Sequence, residues 1–418
     1  MTSSPDQPQP KTASIFRQIL RRDKIALSLV FLIMLMDVVG MTILFPISPY
    51  IVRQYSSQAL MVTLLSVVYS AAQFFAAPVL GKISDRVGRR PVLLICLAGS
   101  GLGYLMFGVG GALWILFLSR LIAGITGGSI STAQASIVDV SKPEELANAF
   151  TLVGMAWGIG LVLGPALGGA LGQVDLRAPA FFSAALALAN LVFGFFYLPE
   201  SLPKDRRETR PLRPADFNTF QSIGAIGRLP GLAALLGASA LFNFAFGAMG
   251  STETLYIIQK FAAQPWQIGI MTMLVGISIS LVQALFVQKL VTRLGEIAVA
   301  SFCMALQMVS ALAMVWNPIF LLIYPITTLR AAASGFVFPT LGTLSSKRVS
   351  HHEQGVLMGV TTALNGLMGI VSPILGGLLY DHWSPGAPYW LAAFFYVAAA
   401  VLLRTQAPVR PAVAPASG

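Results

Sequence analysis

Apolar residues run along this 418-residue chain in stretches close to twenty residues long or longer, separated by short polar turns. They fall near 27–50, 60–81, 91–111, 113–135, 146–172 and 179–198. After a polar interval they resume near 231–258, 267–288, 298–316, 318–343, 354–379 and 387–403. A helix needs about twenty apolar residues to cross the hydrocarbon core of a bilayer. The pattern therefore predicts an all-α polytopic membrane protein with twelve transmembrane helices.

Composition agrees: 56% of the residues are hydrophobic and 10% charged, against about a quarter charged in soluble domains. The net charge of +11 invites a nucleic-acid reading until the basic residues are placed. With both termini in the cytoplasm, 22 of the 27 Lys and Arg lie on that side and only Arg53, Arg177 and Lys260 lie opposite, while Arg120 and Arg330 fall inside apolar segments. That is the positive-inside bias of a membrane protein, so the charge sets topology and implies no nucleic-acid partner. The two cysteines, Cys96 and Cys303, sit in separate spans and support neither a disulfide framework nor a thiolate metal site. The first apolar stretch is too long for a signal-peptide core and reads as a retained span.

The interval from Pro199 to Pro230 holds five prolines and a run of cations including Lys204, Arg206 and Arg207. It cannot enter lipid, and it divides the spans six and six. The expected organisation is a cytoplasmic tail (1–24), a six-helix bundle (25–198), a cytoplasmic linker (199–230), a second six-helix bundle (231–404) and a cytoplasmic tail (405–418). The halves echo each other. Gly164-Pro165-Ala166-Leu167-Gly168-Gly169 matches Ser372-Pro373-Ile374-Leu375-Gly376-Gly377 at an offset of 208. Asp85-Arg86-Val87-Gly88 matches Thr292-Arg293-Leu294-Gly295 at 207, and Arg120 matches Arg330 at 210. Parallel repeats of this kind build two pseudo-symmetric bundles in transporters.

Several segments carry recognisable patterns. The loop Gly81-Lys82-Ile83-Ser84-Asp85-Arg86-Val87-Gly88-Arg89-Arg90-Pro91 combines turn glycines with an acid that can pair with Arg89. Arg120-Leu121-Ile122-Ala123-Gly124 is followed by Gly127 and Gly128, and the fifth span carries Gly154, Gly158, Gly160, Gly164-Pro165 and Gly168-Gly169. Ala156, Gly160, Gly164, Gly168 and Gly172 recur every fourth residue, leaving one helix face nearly smooth for a neighbouring backbone. The first span holds Asp37-Val38-Val39-Gly40, and Pro199-Glu200-Ser201 follows the sixth.

Taken together these segments resemble the major facilitator superfamily over nearly the whole chain, within it the twelve-span drug/proton antiporters, and most of all the tetracycline-resistance type of efflux protein. The resemblance implies proton-coupled export of small amphipathic compounds by alternating access from a multi-pass monomer in the bacterial inner membrane. It assigns gating to Gly81, Asp85, Arg86, Gly88, Arg89, Arg90, Asp139, Gly154, Gly158, Gly164, Pro165, Gly168 and Gly169, with Asp139 pairing the loop through Arg89. It associates Arg120 with proton transfer. Tetracycline pumps carry an acid before the tyrosine of span 3 and another in span 9, whereas Gly103 and Gln307 stand at those places here.

The residues themselves nominate further candidates. An acid at membrane depth is costly and is paired, protonated or facing a watery cavity, which makes Asp37 the first candidate for the proton site and Glu253 the second. The alternatives are that Asp37 is a permanently bonded structural acid, Glu253 a hydrated group near the mouth, and Arg120 a side chain snorkelling to the interface. Gln73, Gln134, Asn243, Gln283, Gln307 and Asn365 can hydrogen-bond a substrate or tie helix to helix. No Walker loop, HExxH or nucleophile elbow occurs in the sequence, so no cofactor, metal or enzymatic activity is expected. His351 and His352 read as solvated. The partners expected are a small-molecule substrate, protons and lipid. Competing readings are proton-linked transport of an endogenous metabolite, sugar or siderophore, and a membrane-embedded lipid-modifying enzyme.

Overall fold

The computed structural model describes residues 11–141, 146–209, 232–350 and 353–406, with side chains from Leu27 onward except at 146–148. The expected linker cations beyond residue 209, His351 and His352, and most of both tails lie outside the described residues.

Helices α1 (Lys11–Thr42), α2 (Ser48–Val52), α3 (Ala59–Val87), α4 (Arg89–Val109), α5 (Leu113–Ile125), α6 (Ser129–Val140), α7 (Leu146–Val174) and α8 (Ala178–Tyr197) make the first half. Helices α9 (Ala233–Phe261), α10 (Pro265–Leu285), α11 (Val287–Leu294), α12 (Glu296–Trp316), α13 (Ile323–Ser346), α14 (Gln354–His382) and α15 (Ala387–Arg404) make the second. Among the described residues, eleven helices are long and apolar enough to cross a membrane, and the shorter apolar part of α1, Leu27–Thr42, stands at the place of the first expected span.

Three spans depart from the uninterrupted helices expected. The first stops at Thr42, because Pro46 has no N–H to continue the ladder, and the chain restarts at α2 with Pro49 in its first turn. The fourth breaks at Thr126–Gly128 into α5 and α6, where two successive glycines lower helix propensity and the Thr126 hydroxyl bonds back to the Ile122 carbonyl at 2.9 Å. The eighth bends at Phe286 before the short α11.

In the first half α1 packs on α7 and α8, α3 on α5, and α4 on α5 and α8. In the second, α9 packs on α14 and α15, and α12 on α13 and α15. The halves meet mainly through two helix pairs, α7 with α10 and α3 with α14, and α3 also touches α9.

The repeat is visible atom by atom. A Cβ at Gly164 on α7 would stand 1.9 Å from Thr42 Oγ1 on α1. In the second half, a Cβ at Gly247 on α9 would stand 2.1 Å from Ser372 Oγ on α14. Gly168 lies against the Ile43 carbonyl, and its mate Gly376 against the Ala248 carbonyl. Thr42 with Gly247, and Ile43 with Ala248, are each 205 residues apart. That offset relates the first span to the seventh.

Candidate functional site: a cavity at the seam of two bundles

Between the halves lies a cavity of about 630 Å³, within the range of small-molecule sites. Its wall is mostly apolar and aromatic, with Phe45, Tyr69, Phe74 and Trp157 from the first half, and Thr362, Asn365 and Gly366 of α14 closing it from the second. The break in the fourth span faces it, through Gly127, Ile130, Ser131 and Gln134.

Of the six amides expected to meet substrate, Gln73, Gln134 and Asn365 line this cavity. Gln73 also donates to the carbonyl of Gly127 at 3.0 Å, satisfying an acceptor freed by the helix break. The other three lie elsewhere. Asn243 donates to Ser239 O one turn back, and Gln307 is fully buried and donates to Ser334 Oγ at 2.6 Å, a bond from α12 to α13. Gln283 is exposed on α10. These three are bound within their own half or exposed, and none lines the cavity.

Arg120 lines the cavity and is 8% exposed. Its guanidinium carbon lies 4.4 Å from the ring centroid of Phe107 and 5.8 Å from that of Tyr104, while Nε and Nη2 are buried without a hydrogen-bond partner. Asp37 sits just behind the wall, half-buried, where Ser129 Oγ at the start of α6 donates to its Oδ2 at 2.5 Å. Tyr69 and Tyr104 are within electrostatic reach of both Asp37 and Arg120. In the second half, Glu253 is buried rather than hydrated at a mouth, and both its oxygens accept from Arg330 Nη2. Tyr389 and Tyr396, whose hydroxyls are buried without partners, lie within electrostatic reach of this pair.

At the end of the molecule where the linker leaves α8, Arg89 organises a polar cluster. Its side chain reaches Asp85 at 2.5 Å, Ser84 Oγ at 2.6 Å and Asp139 at 2.9 Å, while its backbone N–H donates to Glu200 at 2.8 Å. Gly88 makes this possible with φ +115°, a conformation open to glycine, and a Cβ there would stand 2.2 Å from Glu200. Arg90 donates to the carbonyl of Phe195 at 2.5 Å. The loop is thus tied to the end of α6 and to the first residues of the linker.

A family model described as the Major Facilitator Superfamily matches residues 30–252 and again 235–418. The chain belongs to the Major Facilitator Superfamily. Among curated relatives, it is 32% identical over 371 residues to the class C tetracycline resistance protein of Escherichia coli, covering 88% of this chain and 92% of that one. It is 27% identical over 340 residues to human major facilitator superfamily domain-containing protein 10, covering 78% and 73%. Among solved structures, nucleoside transporter NupG superposes with TM-score 0.73 at 15% identity over 91% of this chain and 98% of that one. Human organic anion transporter MFSD10 (TETRAN) superposes with TM-score 0.68 at 24% identity, over 91% and 99%.

As a member of this superfamily the protein is a membrane transporter of small molecules and not an enzyme. Its α7 explains the glycine spacing. Gly160 and Gly164 admit the end of α1, Gly168 and Gly172 admit the segment Ile43–Ile47 that follows it, and Thr42 Oγ1 bonds the Gly160 carbonyl at 2.9 Å. Gly169 on another face meets Gly269 of α10, where a Cβ would stand 2.8 Å from Gly269 Cα. A Cβ at Gly158 would approach Ser280 at 3.0 Å, while one at Gly154 would meet nothing within 4 Å. One helix thus packs closely within its own bundle and across the seam.

Sequence reasoning missed Glu200 as a partner of the loop, although its motif was noted, and missed Asp381. The latter's two carboxylate oxygens accept from the backbone N–H groups of Ala59 (2.7 Å) and Leu60 (2.8 Å) at the start of α3. A lone acid at the end of a span gives no sign in sequence that a helix terminus of the other bundle faces it.

Proposed function

We propose that the protein exports small amphipathic molecules in exchange for protons, by rocking of two bundles about the cavity between them. The observation that carries the reading is a drug-sized, largely apolar cavity at the bundle seam with an acid, Asp37, close by: it is bonded to Ser129, the neighbour of the lining residue Ile130, and stands one helical turn before the lining residue Met41. Asp37 is the proton carrier, exchanging its proton with water in the cavity. Arg120 is the fixed charge that biases it, and Glu253 with Arg330 forms a second ionisable pair in the partner bundle. The termini and linker face the cytoplasm of a bacterial cell, and the membrane is the inner one. The α7 seam and the Arg89 cluster act as gates.

The bonds described across the bundles gather at the end away from the linker. They are Asp381 to Ala59 and Leu60, and Tyr50 Oη to the Ala263 carbonyl at 2.6 Å. In this orientation they close the periplasmic side, leaving the cavity to the cytoplasm. Each proton moving inward contributes about 2.3 kcal/mol per 100 mV, so a one-for-one exchange concentrates cargo without ATP.

Relatives bear names of tetracycline resistance and of organic anion transport. Tetracycline itself is disfavoured by packing. A Cβ at Gly103 would stand 3.0 Å from both Ala123 Cβ and the Ser119 carbonyl, and Gln307 is spent on Ser334. A dedicated metabolite cargo is the second reading, favoured by the same two positions.

The test is proton movement in proteoliposomes energised with a pH gradient and challenged with a panel of amphipathic compounds. Substrate-dependent collapse of the gradient that disappears in Asp37→Asn, with binding retained, is expected. Collapse unaltered by that substitution removes Asp37 from the mechanism, and substrate movement with no proton flux removes antiport.

A further inference from the structure

Arg120 and Arg330 are repeat mates with opposite fates. Arg330 is neutralised by Glu253 inside its own bundle. With the offset of 205 that relates the first span to the seventh, Glu253 corresponds to Ser48, a neutral residue on the cavity wall. The first bundle therefore holds the arginine without its acid. Nor does Asp37 substitute, because its described bond goes to Ser129 and no ion pair joins it to Arg120 among the described residues. Among the described residues, Arg120 is the only charged side chain lining the cavity. It is more than nine-tenths buried, with Nε and Nη2 unpartnered.

A guanidinium buried this way is stabilised when an anion meets it, and its planar fork suits a delocalised oxyanion such as a carboxylate. The rings of Phe107 and Tyr104 hold the guanidinium from the protein side but leave its Nε and Nη2 without a hydrogen bond. Around it, Phe45, Tyr69, Phe74 and Trp157 offer aromatic surface, and Gln134 and Asn365 offer neutral hydrogen bonds.

We propose that the cargo of this cavity is an aromatic organic anion whose carboxylate pairs with Arg120 while its rings lie against the aromatic wall. The assignment rests on the transport reading above and narrows it to one substrate class. Cationic amphiphiles are excluded by the same charge, since the cavity wall offers them no acid.

The experiment compares two dyes sharing a xanthene ring system, anionic fluorescein and cationic rhodamine 123, by equilibrium binding to the detergent-purified full chain and by uptake into proteoliposomes under a proton gradient. Fluorescein is expected to bind at least about tenfold more tightly, one tenfold step being about 1.4 kcal/mol. Arg120→Gln should abolish that preference and Arg120→Lys retain part of it. Equal binding, preference for rhodamine 123, or no binding of either dye overturns the proposal, and these wild-type comparisons stand even if the Arg120 variants do not fold. Proton-driven movement of rhodamine 123 would leave antiport standing while sinking the anion assignment. Arg120-dependent fluorescein binding without proton-driven movement would do the reverse.

Discussion

Replacing Asp381 with alanine should open the end of the transporter away from the linker. The carboxylate accepts two backbone N–H groups at the start of α3, at 2.7 and 2.8 Å, where unsatisfied donors and the helix dipole favour a negative charge. Hydrogen bonds to a charged group contribute about 1.5–3 kcal/mol each when sheltered. Asp381 is exposed, so water competes and the pair together is better placed at about 1.5–2 kcal/mol. Because the acid sits on one bundle and the N–H groups on the other, this stabilisation exists only while that end is closed. Its loss should shift the closed-to-open ratio by roughly 10- to 30-fold. The measurement is a distance distribution between spin labels at Ser57 and Gln264, with Cys96 and Cys303 replaced by serine. A new long-distance population in Asp381→Ala, and a smaller one in Asp381→Asn, which keeps one acceptor, is expected. Distributions superimposable on the parent would show that Asp381 does not hold the bundles together.

Glu253→Gln should strand the Arg330 charge in a buried site and lower stability by about 3–5 kcal/mol, read as a fall in the thermal midpoint. The double change Glu253→Leu with Arg330→Met should recover most of that loss, whereas a double variant as unstable as the single one would contradict the pairing. Gly164→Ala drives a methyl to within 1.9 Å of Thr42 Oγ1 and should cost about 1–3 kcal/mol by overpacking. Thr42→Ala should restore only part of it in the same thermal assay, since the residue 42 Cβ, which alanine keeps, and the Ile43 N would still crowd the new methyl at 2.8 and 3.0 Å. Arg89→Ala removes the groups that hold Asp85 and Asp139 together. It should raise protease sensitivity between residues 199 and 209 while leaving cargo binding within about twofold, about 0.4 kcal/mol.

The architecture was legible because each span writes its own signal. Length and apolarity specify a helix in lipid without reference to any other helix, and the positions paired in sequence as Gly164 with Ser372 proved to be equivalent packing contacts. Interruptions were harder. Gly127 and Gly128 were noted as a motif, but a helix break depends on Gln73 arriving from α3 to take the Gly127 carbonyl. The loop around Arg89 could be read with its partner Asp139, since the family resemblance implies that pairing, while Glu200 and Asp381 act on backbone N–H groups that no side-chain pattern reveals. The amides divided for the same reason. Gln73, Gln134 and Asn365 differ from Asn243, Gln283 and Gln307 in where packing places their helix and its face, and the azimuth of a helix apolar all round is set by packing, not by periodicity.

Repetition also indicates where the chemistry lies. Duplication supplied both halves with a small-residue helix, a partner helix packed against it and an arginine in the fourth span of each bundle. The contacts that keep the bundles folded were retained in both copies, as the close approaches of Gly168 to Ile43 and of Gly376 to Ala248 attest. The charges were not. One arginine has an acid beside it and lies outside the cavity, while the other has none at the equivalent position and lines the cavity wall. If both arginines served only to hold helices together, restoring the acid by Ser48→Glu should stabilise the first bundle and leave transport intact. If Arg120 is kept unpaired for cargo, the same substitution should raise the thermal midpoint through a new Arg120 pair and abolish anion binding. A stability gain together with a binding loss is the result only the second reading expects.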